Sequence, residues 1–203
     1  MTANGDRKKV LTTRRLRLEP CAPEHLPGLH ALNADPQVMR YVTGQPETVE
    51  QTRAMIERVQ ARWAEFGYSW WSFIELATGE LVGAGCIQNL RRGDSPVPDP
   101  SCPLEIGWRL RRDRWHQGLA TEAARTMAAF AFDELKAPHL YAVCDPDNVA
   151  SAAVMRRLGM ESLGLDTWYG RTLATYRIAA EVWEARRPAL DLGEGSTNPR
   201  PRA

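Results

Sequence analysis

Leu104-Glu-Ile-Gly-Trp-Arg-Leu110, Arg111-Arg-Asp-Arg-Trp115 and His116-Gln-Gly-Leu-Ala-Thr-Glu-Ala123 follow one another without a break. Leu104, Ile106, Trp108 and Leu110 alternate, which predicts a strand with these four on one face. A basic turn at 111–114 leads to Gly118 and then to a long Ala-rich helix. Strand, glycine turn and helix in that order make an anion site. The first N–H groups of a helix have no intrahelical acceptor, and the helix dipole adds positive charge there. Gly118 lets the backbone come close to a ligand. A phosphate-bearing ligand is therefore expected at residues 115–121.

The stretch carries neither common nucleotide signature. Leu119-Ala120 supplies no Lys-Ser/Thr pair, and one glycine stands where a dinucleotide fingerprint needs three. It resembles the acetyl-CoA loop of the GNAT superfamily of N-acetyltransferases, Gln/Arg-x-x-Gly-x-Gly/Ala, with Gly118 and Ala120 in the last two fixed places. Trp115 fills the first place, as in the ribosomal-protein N-terminal acetyltransferase (RimJ/RimL-like) branch. His116 stands where that branch usually has glycine. A second motif of the superfamily, Asn-x-x-Ser-x-x-x-x-x-x-Leu-Gly-Phe/Met, is matched by Asn148, Ser151, Leu158, Gly159 and Met160. The resemblance covers roughly residues 11–183.

Composition sets the frame. The chain has 203 residues, 43% hydrophobic and 25% charged, which suits one globular domain with a substantial core. A net charge of +1 gives no pointer to nucleic acid or an anionic membrane. No apolar run has transmembrane length and the N-terminus is polar, so a cytoplasmic protein, monomer or homodimer, is expected. Cys21, Cys86, Cys102 and Cys144 form no CxxC pair, and neither a disulfide framework nor a metal site is expected.

Residues 1–10 and 185–203 are expected to be disordered, with one domain over 11–184. Residues 14–20 alternate as a first strand. A helix is expected over 23–34, and 35–41 is either a buried anchor or a segment near the acceptor. Thr48 and Gln51 form a capping box for a helix that Gly67 closes. Residues 69–76 and 81–89 read as a hairpin, with Trp70 and Trp71 on opposite faces, either as core and surface aromatics or as a wall of the acceptor pocket. Residues 90–102 form a long Pro-rich loop, either a cover for the site or a surface excursion. Helices are expected over 119–135 and 148–159, a strand over 139–144, and a closing hairpin turning at Gly170-Arg171.

These elements give an α+β, mixed α/β fold. The resemblance implies the GNAT architecture: a central mixed, mostly antiparallel sheet, splayed between the fourth and fifth strands and flanked by helices. It implies N-acetyl transfer from acetyl-CoA to a primary amine by direct attack, the amine being a peptide or protein N-terminus. A small-molecule amine (amino acid, polyamine, antibiotic) and a non-catalytic acyl-CoA-sensing or partner-binding module are the alternatives. No metal is implied. Acetyl-CoA would contact Trp108, Leu110, Trp115, His116, Gln117, Gly118, Leu119, Ala120, Thr121, Asn148 and Ser151, with Arg111, Arg112 and Arg114 adding charge.

Acyl transfer also needs a neutral amine and a proton for the leaving thiolate. Glu105 points opposite to the apolar stripe and is the candidate base, or else a sheet-surface carboxylate paired with an arginine. Asn148 is a good helix N-cap that can also hold the pantetheine amide. Ser151 is the candidate proton donor, because Met155 stands where many GNAT enzymes place a tyrosine; Tyr141 and Tyr169 are weaker alternatives. Glu122 reads as a dipole partner in the first turn of its helix.

Overall fold

The computed structural model describes residues 9–93 and 97–192, and for 188–192 the backbone alone. The expectations for 1–8, for the tip of the loop at 94–96 and for 193–203 lie outside the described residues. Strands β1 (Leu11–Thr12), β2 (Leu16–Pro20), β3 (Trp70–Glu75), β4 (Leu81–Asn89), β5 (Leu104–Leu110), β6 (His139–Cys144), β7 (Glu161–Trp168) and β8 (Arg171–Ala179) form one sheet. Its order is β1-β2-β3-β4-β5-β6-β8-β7. Neighbours are antiparallel except β5 and β6, which run parallel and share a single pairing, Glu105 with Tyr141. Beyond that pairing the strands diverge. The expected α+β fold and its splay are present; the short β1 moves the splay to between the fifth and sixth strands.

Among the described residues, six α-helices cover the sheet: α1 (Leu26–Asn33), α2 (Pro36–Met39), α3 (Val49–Phe66), α4 (Leu119–Asp133), α5 (Val149–Leu158) and α6 (Ala180–Leu192). Thr48 and Gln51 cap α3 reciprocally, and Gly67 ends it in the left-handed conformation at φ 74°. On one face, Ala123, Ala124, Met127 and Ala131 of α4 pack on Phe73, Ile106 and Leu110. The small side chains let the helix lie close to the strands. On the other face, Leu29, Leu32, Val38, Met39, Ile56 and Val59 close a second core over Ala84 and Cys21. Trp71 is buried in the first core and Trp70 packs on the second, as strand alternation requires.

Four boundaries differ from expectation. The last hairpin turns at Tyr169-Gly170, because Trp168 pairs with Arg171. Both turn residues have positive φ, 55° and 68°, which fits a two-residue hairpin between twisted strands. Helix α4 stops at Asp133 rather than 135. Lys136 turns left-handed there at φ 54°, and Ala137 N–H bonds back to the Ala131 carbonyl at 3.1 Å. Finally, the chain stays in the fold past 185. Trp183 stacks on Phe132 with ring centroids 5.5 Å apart, and Arg187 bonds both carboxylate oxygens of Asp133 at 2.9 and 2.6 Å. These contacts hold α6 as a helix to Leu192. At the N-terminal boundary, the Lys9 carbonyl accepts from Trp71 Nε1 at 2.8 Å, so residues 9 and 10 are tied to the fold.

Candidate active site

A cavity of about 1050 Å³ opens where β5 and β6 diverge. Its walls are Trp108, Arg109 and Leu110 of β5, the loop from Trp115 into α4, the start of α5 from Asp147 to Ser151, and α2 with Tyr41 and Val42 behind it. Every residue expected to meet acetyl-CoA lies on this wall except Gln117. Gln117 is turned away: its Nε2 donates to the Asp113 carbonyl at 2.8 Å, and its own carbonyl accepts from Arg15 Nη1 at 2.9 Å.

The loop geometry follows from two residues. Gly118, the N-cap of α4, sits at φ 79°. His116 adopts φ 60° although it is not glycine. A left-handed L-residue costs about 1–2 kcal/mol. Replacing His116 by Gly relieves that strain, so the variant is expected to unfold at no lower denaturant concentration than the parent and to bind acetyl-CoA with similar affinity. A loss of stability in urea melts would show that the His116 side chain contributes more than its backbone costs. Leu119, Ala120 and Thr121 follow as the first turn of α4, with amides that have no intrahelical acceptor. Trp115 Nε1 donates to the Leu110 carbonyl at 2.8 Å and ties the loop to the end of β5.

The charge on the wall suits a polyanion. Seven arginines and two acidic residues line it, and one of the acids, Glu122, is taken by Arg15. The expectation for the basic turn needs correction. Arg111 pairs with Asp113 and Glu80, and Arg112 pairs with Asp35. Of the three, Arg114 alone lines the cavity, and it is bonded to Glu75. The free charge comes from elsewhere: Arg14 and Arg157 reach the cavity without an ion pair among the described residues.

Register places the β5 amides. Arg111 N–H bonds to the Val82 carbonyl of β4 at 2.9 Å. Antiparallel bonding alternates along a strand. The odd-numbered N–H groups of β5 therefore face β4, and those of Trp108 and Leu110 face the gap toward β6. A strand edge with unused donors is thus presented to the cavity.

Asn148 caps α5, its Oδ1 accepting from Ser151 N–H at 3.1 Å. Both residues also line the cavity, so the capping role and a binding role are compatible. Met155 is buried in the core.

Glu105 is buried on the sheet face opposite α4, 6% exposed, and does not reach the cavity wall. Among the described residues it has no salt bridge. Its Oε1 accepts from Gln88 Nε2 at 2.7 Å and from the Tyr169 hydroxyl. Trp70 Nε1 in turn donates to Gln88 Oε1 at 3.0 Å. That is the work of the Trp70 indole, which does not wall the cavity. Burial raises the Glu105 pKa, against the lowering effect of bonds from Tyr169 and Gln88. Burial and the adjacent Glu105 raise the Tyr169 hydroxyl strongly. No cluster of three potential metal ligands is found among the described residues.

Comparison with known proteins fits this geometry. Residues 15–161 match the family model described as an acetyltransferase (GNAT) domain. The chain belongs to the GNAT acetyltransferase family. This GNAT chain is an acyltransferase by membership, and the family uses acetyl-CoA as co-substrate. It is 32% identical over 155 residues to FsC-acetyl coenzyme A-N(2)-transacetylase of Aspergillus fumigatus, covering 74% of this chain and 64% of that protein. It is 28% identical over 176 residues to the N-acetyltransferase p20 of Bacillus licheniformis, covering 84% and 95%. Among solved structures, an acetyltransferase from Agrobacterium tumefaciens superposes with a TM-score of 0.71 at 26% identity, covering 88% of this chain and 98% of that one.

Several wall residues were not singled out from sequence: Arg14, Arg15, Arg109, Arg125 and Arg157. Only Arg109 carried a signal. It alternates with the apolar stripe of its strand, as Glu105 does.

Proposed function

We propose that the chain transfers acetyl from acetyl-CoA to a primary amine presented end-on, at a peptide N-terminus or on a small molecule. The observation that carries this reading is the strand edge at Trp108 and Leu110, whose amides open into a cavity continuous with the α4 N-terminus. A pyrophosphate held on Leu119, Ala120 and Thr121 N–H groups would leave the pantetheine arm beside that edge. Asn148 and Ser151 would flank the arm from the other side. The Leu110 amide would then face the thioester oxygen and stabilise its developing charge.

The amine nitrogen attacks the thioester carbon and gives up a proton to water, the C–S bond breaks, and the thiolate takes a proton from water, directly or through Ser151, whose hydroxyl water reprotonates. The acceptor would enter between α2 and the β7–β8 turn. Arg171 Nη1 spans these, donating to the Val42 carbonyl at 3.1 Å. An acceptor entering there would be an amine at the end of a molecule rather than a lysine on a folded surface. The RimJ/RimL-like motif adds weight to a peptide end.

Glu105 is proposed as the ultimate base, acting through water because it lies behind the wall. Four residues of strand, roughly 13 Å, separate it from Arg109. Free-thiol release from acetyl-CoA with a panel of amines tests transfer directly. A chain that binds acetyl-CoA and releases no thiol with any amine would be a sensing module instead. For Glu105→Gln, a drop in kcat of at least about tenfold is expected, with acetyl-CoA affinity unchanged. The raised pKa sets the sign in pH: activity climbs as Glu105 loses its proton, and the variant loses that limb. A profile of the same shape in both proteins would remove Glu105 from the reaction.

A further inference from the structure

Arg109 carries a charge that the fold leaves unanswered. Its Nε is buried without a hydrogen-bond partner, and among the described residues no acceptor is bonded to the guanidinium. The group lies over the Trp70 ring, 4.7 Å from its centroid. The carboxylate acting on it is Glu47, and that side chain is bonded to Asn33 Nδ2 at 2.9 Å. Leaving a covered guanidinium unpaired is costly. Arg15 and Arg114, on the same cavity wall, are by contrast paired with Glu122 and Glu75.

Apart from Glu47, which Asn33 holds, the cavity beside Arg109 is bordered mainly by the same sign of charge. It projects from β5 onto the face covered by α1, α2 and α3. The α2 side of the cavity is formed by Gln37, Val38, Arg40, Tyr41 and Val42 and contributes no carboxylate. Arg40 lies over the Tyr41 ring at 5.0 Å. The two acids on the cavity wall, Glu122 and Asp147, belong to α4 and to the loop before α5. A polyamine or aminoglycoside entering beside α2 would therefore bring several positive charges against two arginines.

A carboxylate would find the planar two-pronged donor that matches it. Trp108 and Leu110, the neighbours of Arg109 in sequence, offer the amides of the proposed thioester site. An amine one or two carbons from a carboxylate can reach that site while the carboxylate stays on Arg109.

We propose that the acceptor amine carries a nearby carboxylate and that Arg109 receives it. This rests on the reading of the cavity as an acetyltransferase site. Two sources share the chemistry: a free α-amino acid, and a peptide whose first residue is Asp or Glu.

The test is thiol release from acetyl-CoA by the whole protein, with four acceptor sets. These are free amino acids, the same amino acids as C-terminal amides, short peptides beginning with Asp, Glu or Ala, and spermidine with an aminoglycoside. Carboxylate-bearing acceptors are expected to exceed their neutral counterparts by roughly 10- to 100-fold in kcat/KM, the range for a hydrogen bond to a charged group. Free acids over amides identifies an amino acid; Asp and Glu peptides over Ala peptides identifies a peptide.

Arg109→Gln should erase the preference, mainly through KM, and leave acetyl-CoA affinity within about twofold. Arg109→Lys, which keeps charge without the fork, should keep part of it. Spermidine as the best acceptor, or a preference that survives in Arg109→Gln, overturns the proposal. Titration of the carboxylate-bearing amines into the CoA complex gives a second readout. Binding that Arg109→Gln abolishes, without thiol release, keeps the carboxylate site and removes the transfer reading. No binding and no preference removes the carboxylate site, while thiol release by another amine keeps transfer.

Discussion

Glu122→Ala is expected to lower the unfolding free energy by about 3 kcal/mol, a shift in Tm of roughly 6–12 °C for a chain of this size. Glu122 is 6% exposed in the first turn of α4. One oxygen accepts from the Arg15 backbone N–H at 2.8 Å and from Thr13 Oγ1, and the other from Arg15 Nε at 2.7 Å. Hydrogen bonds to a charged group contribute about 1.5–3 kcal/mol each, discounted here because Arg15 is partly exposed. The carboxylate thus clamps the β1–β2 turn to the acetyl-CoA loop, well beyond the dipole role read from sequence. The same Arg15 holds the Gln117 carbonyl, so the variant should also bind acetyl-CoA more weakly.

The pH dependence has a definite sign. Burial alone would raise the Glu122 pKa, but the bonds from Thr13 and Arg15 outweigh it and hold the carboxyl below its ordinary value of 4.5. A depressed folded pKa contributes stability that is complete above the unfolded value and is lost as pH falls through the folded one. Urea melts taken downward from pH 7 should therefore show the gap between the parent and Glu122→Ala narrowing as pH falls below 4.5 toward the depressed folded value. A constant gap across that range would mean that packing, not charge, sets the loss. Glu105 works the other way: its raised pKa makes the folded chain less stable as pH climbs through it.

Gly85→Val is expected to cost about 3 kcal/mol or more and to shift β5. Gly85 lies in β4 between the two cores and pairs with Trp71 and Trp108. A Cβ there would come within 2.5 Å of Phe73 Cζ, 2.7 Å of the Gly107 carbonyl oxygen and 2.8 Å of Met127 Cε. Phe73 and Met127 are walled in on all sides, and the carbonyl belongs to a paired strand, so nothing yields cheaply. Relief by pushing β5 outward would displace Trp108 and its amide. A large fall in Tm with weaker acetyl-CoA binding is the expected result. Parental stability would mean that Phe73 repacks without strain.

What could be read from sequence was local. The Thr48–Gln51 box, the Gly118 N-cap and the Asn148–Ser151 cap each depend on a few consecutive residues, and each forms as expected. What could not be read depends on which distant segments meet. Arg14 and Arg15 reach the cavity only because the turn between β1 and β2 folds against the start of α4. The final turn was misplaced by one residue because a tyrosine at φ 55° is rare and no local pattern announces it. That conformation aims the Tyr169 hydroxyl at Glu105, so the rare backbone geometry serves the most buried carboxylate on that face.

The single pairing between β5 and β6 has a mechanical consequence. Apart from helices packed across it, the sheet is two panels joined by one rung, with β1 to β5 on one side and β6 to β8 on the other. A ligand laid along β5 would act as mortar in that joint. Its binding energy would appear as a stiffer hinge, slowing amide exchange in β6 and β8, far from any atom that the ligand touches.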